Sequence, residues 1–191
     1  MMPIPDFLKS RATGRSLIIV AAVTSVLGLT SHLILAPIYR GITGFTPFDF
    51  QSSLSNFMIA VELGAFAEGA ATNAYVTFAT VDMAYVLATA YLFTLLWSWL
   101  FVKSPTRLFA FLVRGGILLL PSYIVVLDLV AKIGFFRLLR GLSGPSYAMT
   151  VEFCAVVHRL KFAVMDIRNG LTAAVVLAVA VGFVLTQRSA P

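Results

Sequence analysis

The chain has 191 residues, of which 60% are hydrophobic and only 12% charged; its mean hydropathy is +0.95. A soluble domain carries about 25% charged residues, so disorder and an ordinary soluble fold are both excluded. Lys+Arg 14 against Asp+Glu 8 leaves a net charge of +6. The basic residues mostly flank apolar runs, which points to topology signals and anionic lipid rather than nucleic acid.

A crossing helix needs about 20 mainly apolar residues. The first such run is 17–38, behind Lys9, Arg11 and Arg15. It is longer than the roughly 7–15 residues of a signal-peptide core, so it reads as a retained anchor. Between it and the next run, Thr46 reads as an N-cap, Pro47 as the first helical position and Asp49 as an acid near the positive helix end. Phe50, Leu54, Phe57, Met58 and Val61 follow at helical spacing. The expectation is an amphipathic helix over 47–63, lying on the membrane or capping the bundle.

The second run is 75–102 and holds Asp82; Lys103 to Arg107 form a short basic turn with Pro105. The third is 108–136, with Arg114, Gly115-Gly116, Pro121 and Asp128. Within it the glycine pair reads as a close helix contact, and Pro121 as a kink. Arg137, Arg140, Gly141, Gly144 and Pro145 mark a loop. The fourth run is 150–187. In its first half His158, Lys161, Met165 and Arg168 share one face with Cys154, and Glu152, Arg159 and Asp166 share another. The fold class expected is all-α: one integral membrane domain, a four-transmembrane-helix bundle with the amphipathic helix between spans one and two. Basic residues near span ends place both termini in the cytoplasm.

Helical rise sets a depth scale. At about 1.5 Å per residue from the cytoplasmic ends, Asp82, Asp128 and Asp166 each reach about 30 Å. That is one hydrocarbon thickness. Arg168 falls at the same height, Lys132 and Lys161 one to two turns above, and His32 at about 25 Å. Tyr85 shares the face of Asp82. Asp128 and Lys132 stand four apart with the acid first, the favourable order for a pair within one helix, and Asp82 has Lys161 or Arg168 to pair with. Ionisable groups at this depth pair with one another or face a cavity. The candidate polar site is therefore Asp82, Tyr85, Asp128, Lys132, His158, Lys161, Asp166 and Arg168.

Known chemistries narrow little further. His32 and His158 stand too far apart in height for two haem ligands. There is no zinc ligand set and no phosphate loop. Cys154 is the single cysteine, so no internal disulfide forms. No cofactor is identified. Three functions compete: binding of a small amphiphile, lipid or ion in the polar layer; an accessory or assembly subunit contacting membrane-protein partners; and a membrane enzyme working by carboxylate acid–base chemistry on a lipid-soluble substrate.

Tyr75, Asp82 and Tyr85 in span two, and Pro121 and Asp128 in span three, are similar to a pattern in a loose group of uncharacterised bacterial four-span membrane proteins. That pattern reads Tyr-x₆-Asp-x₂-Tyr and Pro-x₆-Asp-x₂-Glu-Asn. Lys161 early in span four is also similar. Ala131 and Lys132 stand where the group has Glu-Asn, so its second carboxylate is missing. The resemblance covers spans two to four. It implies the fold and a bacterial inner membrane, and no activity.

Overall fold

The computed structural model describes residues 4, 6–52, 54–66, 69–103, 107–141 and 145–188. The expected turn at residues 104–106 and Gly144 lie outside them. The described residues hold no β-strand, and four helices are long and apolar enough to cross a membrane. The protein is a helical membrane protein.

A short helix α1 (Asp6–Arg11) precedes the first span. Span one begins with α2 (Gly14–Leu29), where Thr13 Oγ1 accepts the Ser16 N–H at 3.1 Å as an N-cap. It continues through a π-helical turn, Thr30–Leu35, into α3 (Ala36–Thr43). Pro37 supplies the reason. It has no N–H for the carbonyl of Leu33, and just ahead of it the Ala36 N–H reaches back five residues to Ser31 O. Such widened turns are frequent at functional sites. Gly44, at φ 78°, closes α3 in the left-handed conformation that glycine adopts without strain.

The loop after span one departs from expectation. Thr46 caps nothing; its Oγ1 accepts from Arg40 at 3.2 Å and its carbonyl from Gln51 Nε2 at 2.6 Å. Phe48–Phe50 form one 3-10 turn, and the helix α4 (Asn56–Ala65) starts only after Ser55, whose Oγ accepts the Met58 N–H at 3.2 Å. The single helix expected over 47–63 is therefore two pieces. Burial explains the split: Phe48 and Leu54 are both enclosed, and Phe48 stacks on Phe135 at 4.5 Å. One continuous helix could not insert the first while keeping the second in contact. Within α4 the buried side chains are Ile59 and Glu62, while Phe57, Met58 and Val61 are exposed.

Span two is α5 (Gly69–Lys103). Span three is broken where the sequence suggested continuity. Helix α6 (Arg107–Arg114) ends at Gly115-Gly116, Gly116 is left-handed at φ 80°, and Ile117–Leu119 make a 3-10 turn into α7 (Leu120–Leu139). The glycine pair is thus a helix stop. Pro121 sits in the first turn of α7, where its missing N–H costs nothing, so it starts a helix instead of kinking one. Span four lies in α8 (Pro145–Arg188).

The main helix contacts run in a row: α2 on α5, α5 on α7, α7 on α8. The first and last spans stand at the ends of that row, and the loop bridges them: Phe50 stacks on His32 of span one, and the Gln51 carbonyl meets His158 of α8. Apolar packing falls into two clusters. One, at the loop end, joins Tyr39, Phe48, Ile59, Tyr75, Phe135 and Cys154; the other, at the opposite end, joins Leu8, Trp97, Phe101, Phe109 and Val113.

Candidate functional site

Three elements carry acids to one point. Asp49 comes from the 3-10 turn, Asp82 from α5 and Asp128 from α7, and their nearest oxygens lie within 4.8 Å of one another. The Lys132 ammonium stands at that point. It donates to Asp49 Oδ1 at 2.9 Å, to Asp82 Oδ2 at 2.8 Å and to Asp128 Oδ2 one turn earlier on its own helix. Lys161 of α8 donates to Asp128 Oδ1 at 2.9 Å and approaches Asp49 Oδ1 at 3.5 Å. All five side chains are at most 4% exposed. Such a network persists only where geometry and hydrogen bonds offset desolvation.

The local sequence explains Asp49. In Phe48-Asp49-Phe50 the first ring enters the aromatic core, the second stacks on His32 at 4.1 Å, and the carboxylate between them is driven inward. Burial alone would raise its pKa, but the ammonium groups of Lys132 and Lys161 outweigh that and hold it at about 2. Its Oδ2 is nevertheless buried with no hydrogen-bond partner in the structure.

The loop is pinned beside the cluster by Gln51. Its Nε2 donates to Thr46 O and to Glu62 Oε1, both at 2.6 Å. Its main-chain carbonyl lies 2.6 Å from His158 Nε2. A carbonyl only accepts, so Nε2 carries the hydrogen. Burial pushes the Glu62 carboxyl up to about 7, against the pull of the Gln51 hydrogen bond.

A cavity of about 340 Å³ adjoins the acids, at the small end of ligand pockets. Asp49, Asp82, Asp128 and Lys161 form its charged wall. Phe50, Tyr85, Phe162 and His32 are its aromatic lining, and Val86, Ile124 and Met165 its aliphatic one. Gly28 makes room for Tyr85, since a Cβ there would stand 3.0 Å from the ring. Lys132 does not line this cavity; it lines a separate groove with Met83, Leu129 and Ile133. The carboxylates thus face the cavity while one of their two cations stands behind them.

Of the residues expected in the polar site, Asp82, Asp128, Lys132 and Lys161 meet in the ion cluster, and Tyr85 lines the cavity. His158 is buried but holds the loop. Two expectations fail. Asp166 has the right height but the wrong rotation: it is exposed on the far face of α8. Arg168 is buried, yet its guanidinium lies over Phe93 at 4.0 Å and bonds Asn169 Oδ1 at 2.9 Å, away from the acids. Asp82 pairs with Lys132 rather than with Lys161 or Arg168, because α5 packs closely on α7 and barely touches α8. Asp49, Gln51 and Glu62 were missed as site residues. Their one sequence signal was the presence of an acid between two phenylalanines in a loop too apolar to be solvated.

No protein-family model, curated protein or solved structure matches the chain.

Proposed function

We propose that this multi-pass membrane protein binds a small amphiphile, with its polar group against the Asp49–Asp82–Asp128 wall and its apolar part along Val86, Ile124 and Met165. The observation that carries this reading is the joining of a buried, five-member ion cluster to a 340 Å³ cavity lined largely by apolar side chains. Charges clamping helices together need no adjoining space; charges that serve a ligand do. A divalent metal is the poorer occupant, because the Lys132 ammonium already stands where the three carboxylates converge. Acid–base chemistry on a bound substrate would use the same wall.

The orientation we favour keeps both termini in the cytoplasm of a bacterial inner membrane. Lys9, Arg11, Arg15, Lys103, Arg107 and Arg114 gather at the end where the chain begins, against Arg40, Arg137 and Arg140 at the other. The cavity then lies toward the outer leaflet.

Val86→Trp tests the reading by filling the cavity from its apolar side without touching a charge. Native mass spectrometry of protein purified in a mild maltoside is expected to show a co-purifying small amphiphile that the Val86→Trp protein lacks. An equally loaded variant, or an unloaded wild type, would remove the proposal.

A further inference from the structure

The charges in the cluster do not balance. Asp49, Asp82 and Asp128 contribute three negative charges, and Lys132 and Lys161 two positive ones. No other ammonium or guanidinium forms an ion pair with these acids among the described residues. One negative charge is left over in a nearly water-free place, where an uncompensated charge is costly. The excess has an identifiable outlet. Asp49 Oδ2 is buried without a partner, and Asp49 lines the cavity.

The cavity side of the cluster is more acidic than the whole, since Lys132 stands behind it. Lys161, which does line it, is already shared between Asp128 and Asp49. An anionic head would therefore add to an unbalanced negative charge and, among the described lining residues, meet no cation besides Lys161. Beside the acids the lining is aromatic: Phe50 under His32, Tyr85 edge-on to His32 at 6.2 Å, and Phe162. Aromatic faces attract cations through the ring quadrupole, more strongly when desolvated. A carboxylate floor with aromatic sides is the arrangement that suits an alkylated ammonium, which needs charge compensation but offers few hydrogen-bond donors.

We infer that the ligand is a monocationic amphiphile, an amine or quaternary ammonium with a short apolar tail, whose head supplies the missing positive charge opposite Asp49 inside the aromatic lining. This rests on the ligand-binding reading above and adds the sign of the ligand's charge.

The experiment compares three six-carbon probes in neutral maltoside micelles by isothermal titration calorimetry: hexyltrimethylammonium, hexanoate and 1-hexanol. Hexyltrimethylammonium is expected to bind saturably, and at least tenfold more tightly than the other two. Asp49→Asn should weaken it tenfold or more. Tyr85→Leu, which leaves the ion cluster intact, should weaken it several-fold and guards against a variant that fails to fold. Val86→Trp should abolish it. Hexanoate or hexanol binding as well as the cation, with both lost in Val86→Trp, would overturn the charge assignment and leave the ligand-binding reading standing. A cluster neutralised by a proton instead would show no saturable cation binding at neutral pH, and that also overturns the inference. Cation binding unchanged in Val86→Trp would place it elsewhere and end it too.

Discussion

The two ends of the bundle are built on different terms. At the end holding α1 and α6, Leu8, Trp97, Phe101, Phe109 and Val113 form an apolar cluster. Its notable polar contact is Trp97 Nε1 donating to Thr172 Oγ1 at 3.0 Å. At the loop end, aromatic rings of similar bulk surround five ions, and buried atoms of Asp49, Gln51, Glu62, Tyr39, Tyr75 and His158 lack partners. The first end is what helix packing in a membrane requires. The second carries polar groups that packing alone would select against. The same four helices are thus held by apolar packing at one end and by packing around a buried ion cluster at the other.

That division can be tested, starting from its largest consequence. Lys132→Met removes the cation shared by three carboxylates. Breaking a buried ion network on one side costs about 3–5 kcal/mol, so most of the folded population should be lost from size-exclusion chromatography. Adding Asp82→Asn should restore part of it. At the other end, Trp97→Phe removes one hydrogen bond and should cost about 1 kcal/mol in thermal unfolding. Equal losses from Lys132→Met and Trp97→Phe would erase the distinction.

An effect smaller than that of Lys132→Met is expected where α7 and α8 touch beside the loop. A Cβ at Gly134 would stand in overlap with Cys154 Sγ, while Cys154 Cβ would be 4.0 Å away. Gly134→Ala should therefore destabilise by about 1–3 kcal/mol, as overpacked cores do. Cys154→Ala in the same protein should recover most of it. No recovery would mean that the helices, not the sulfur, set the approach.

The smallest effect is a pH slope. Glu62 titrates at about 7 when folded, against 4.5 as an ordinary glutamate. The folded state holds that proton more tightly, so the contribution is full below pH 4.5 and fades as pH rises through about 7. The melting temperature of the wild type should fall across that window, and that of Glu62→Gln should fall less. Parallel profiles would show that Glu62 is better solvated than its burial indicates. Asp49 has the opposite sign: its depressed pKa gives stability that is lost only as pH falls from 3.8 toward about 2.

Much of this was legible in the chain. Apolar run length marked the four spans, and helical rise brought Asp82 and Asp128 to one level. The four-residue step from Asp128 to Lys132 described a pair that exists. The failures share a cause. Height along a helix says nothing about rotation around it, so Asp166 was grouped with acids it faces away from. Thr46, Pro47 and Asp49 imitate the start of a helix, but Phe48 is buried against Phe135 instead, and Asp49 turns inward beside it. Gly115-Gly116 and Pro121 carried a stop and a start signal that the surrounding apolar residues obscured. Local rules read single elements; the loop's position was decided by contacts some 85 residues away.

One consequence follows from the row in which the spans pack. Because α2 and α8 stand at opposite ends of that row, a guest has, on the ligand-binding proposal, a side route into the cavity, through a gap between the first and last spans. A guest using that gap arrives from among the lipids. Its effective concentration is then a mole fraction in a two-dimensional solvent, so two membranes with the same total amount of guest but different lipid content would load the protein to different degrees.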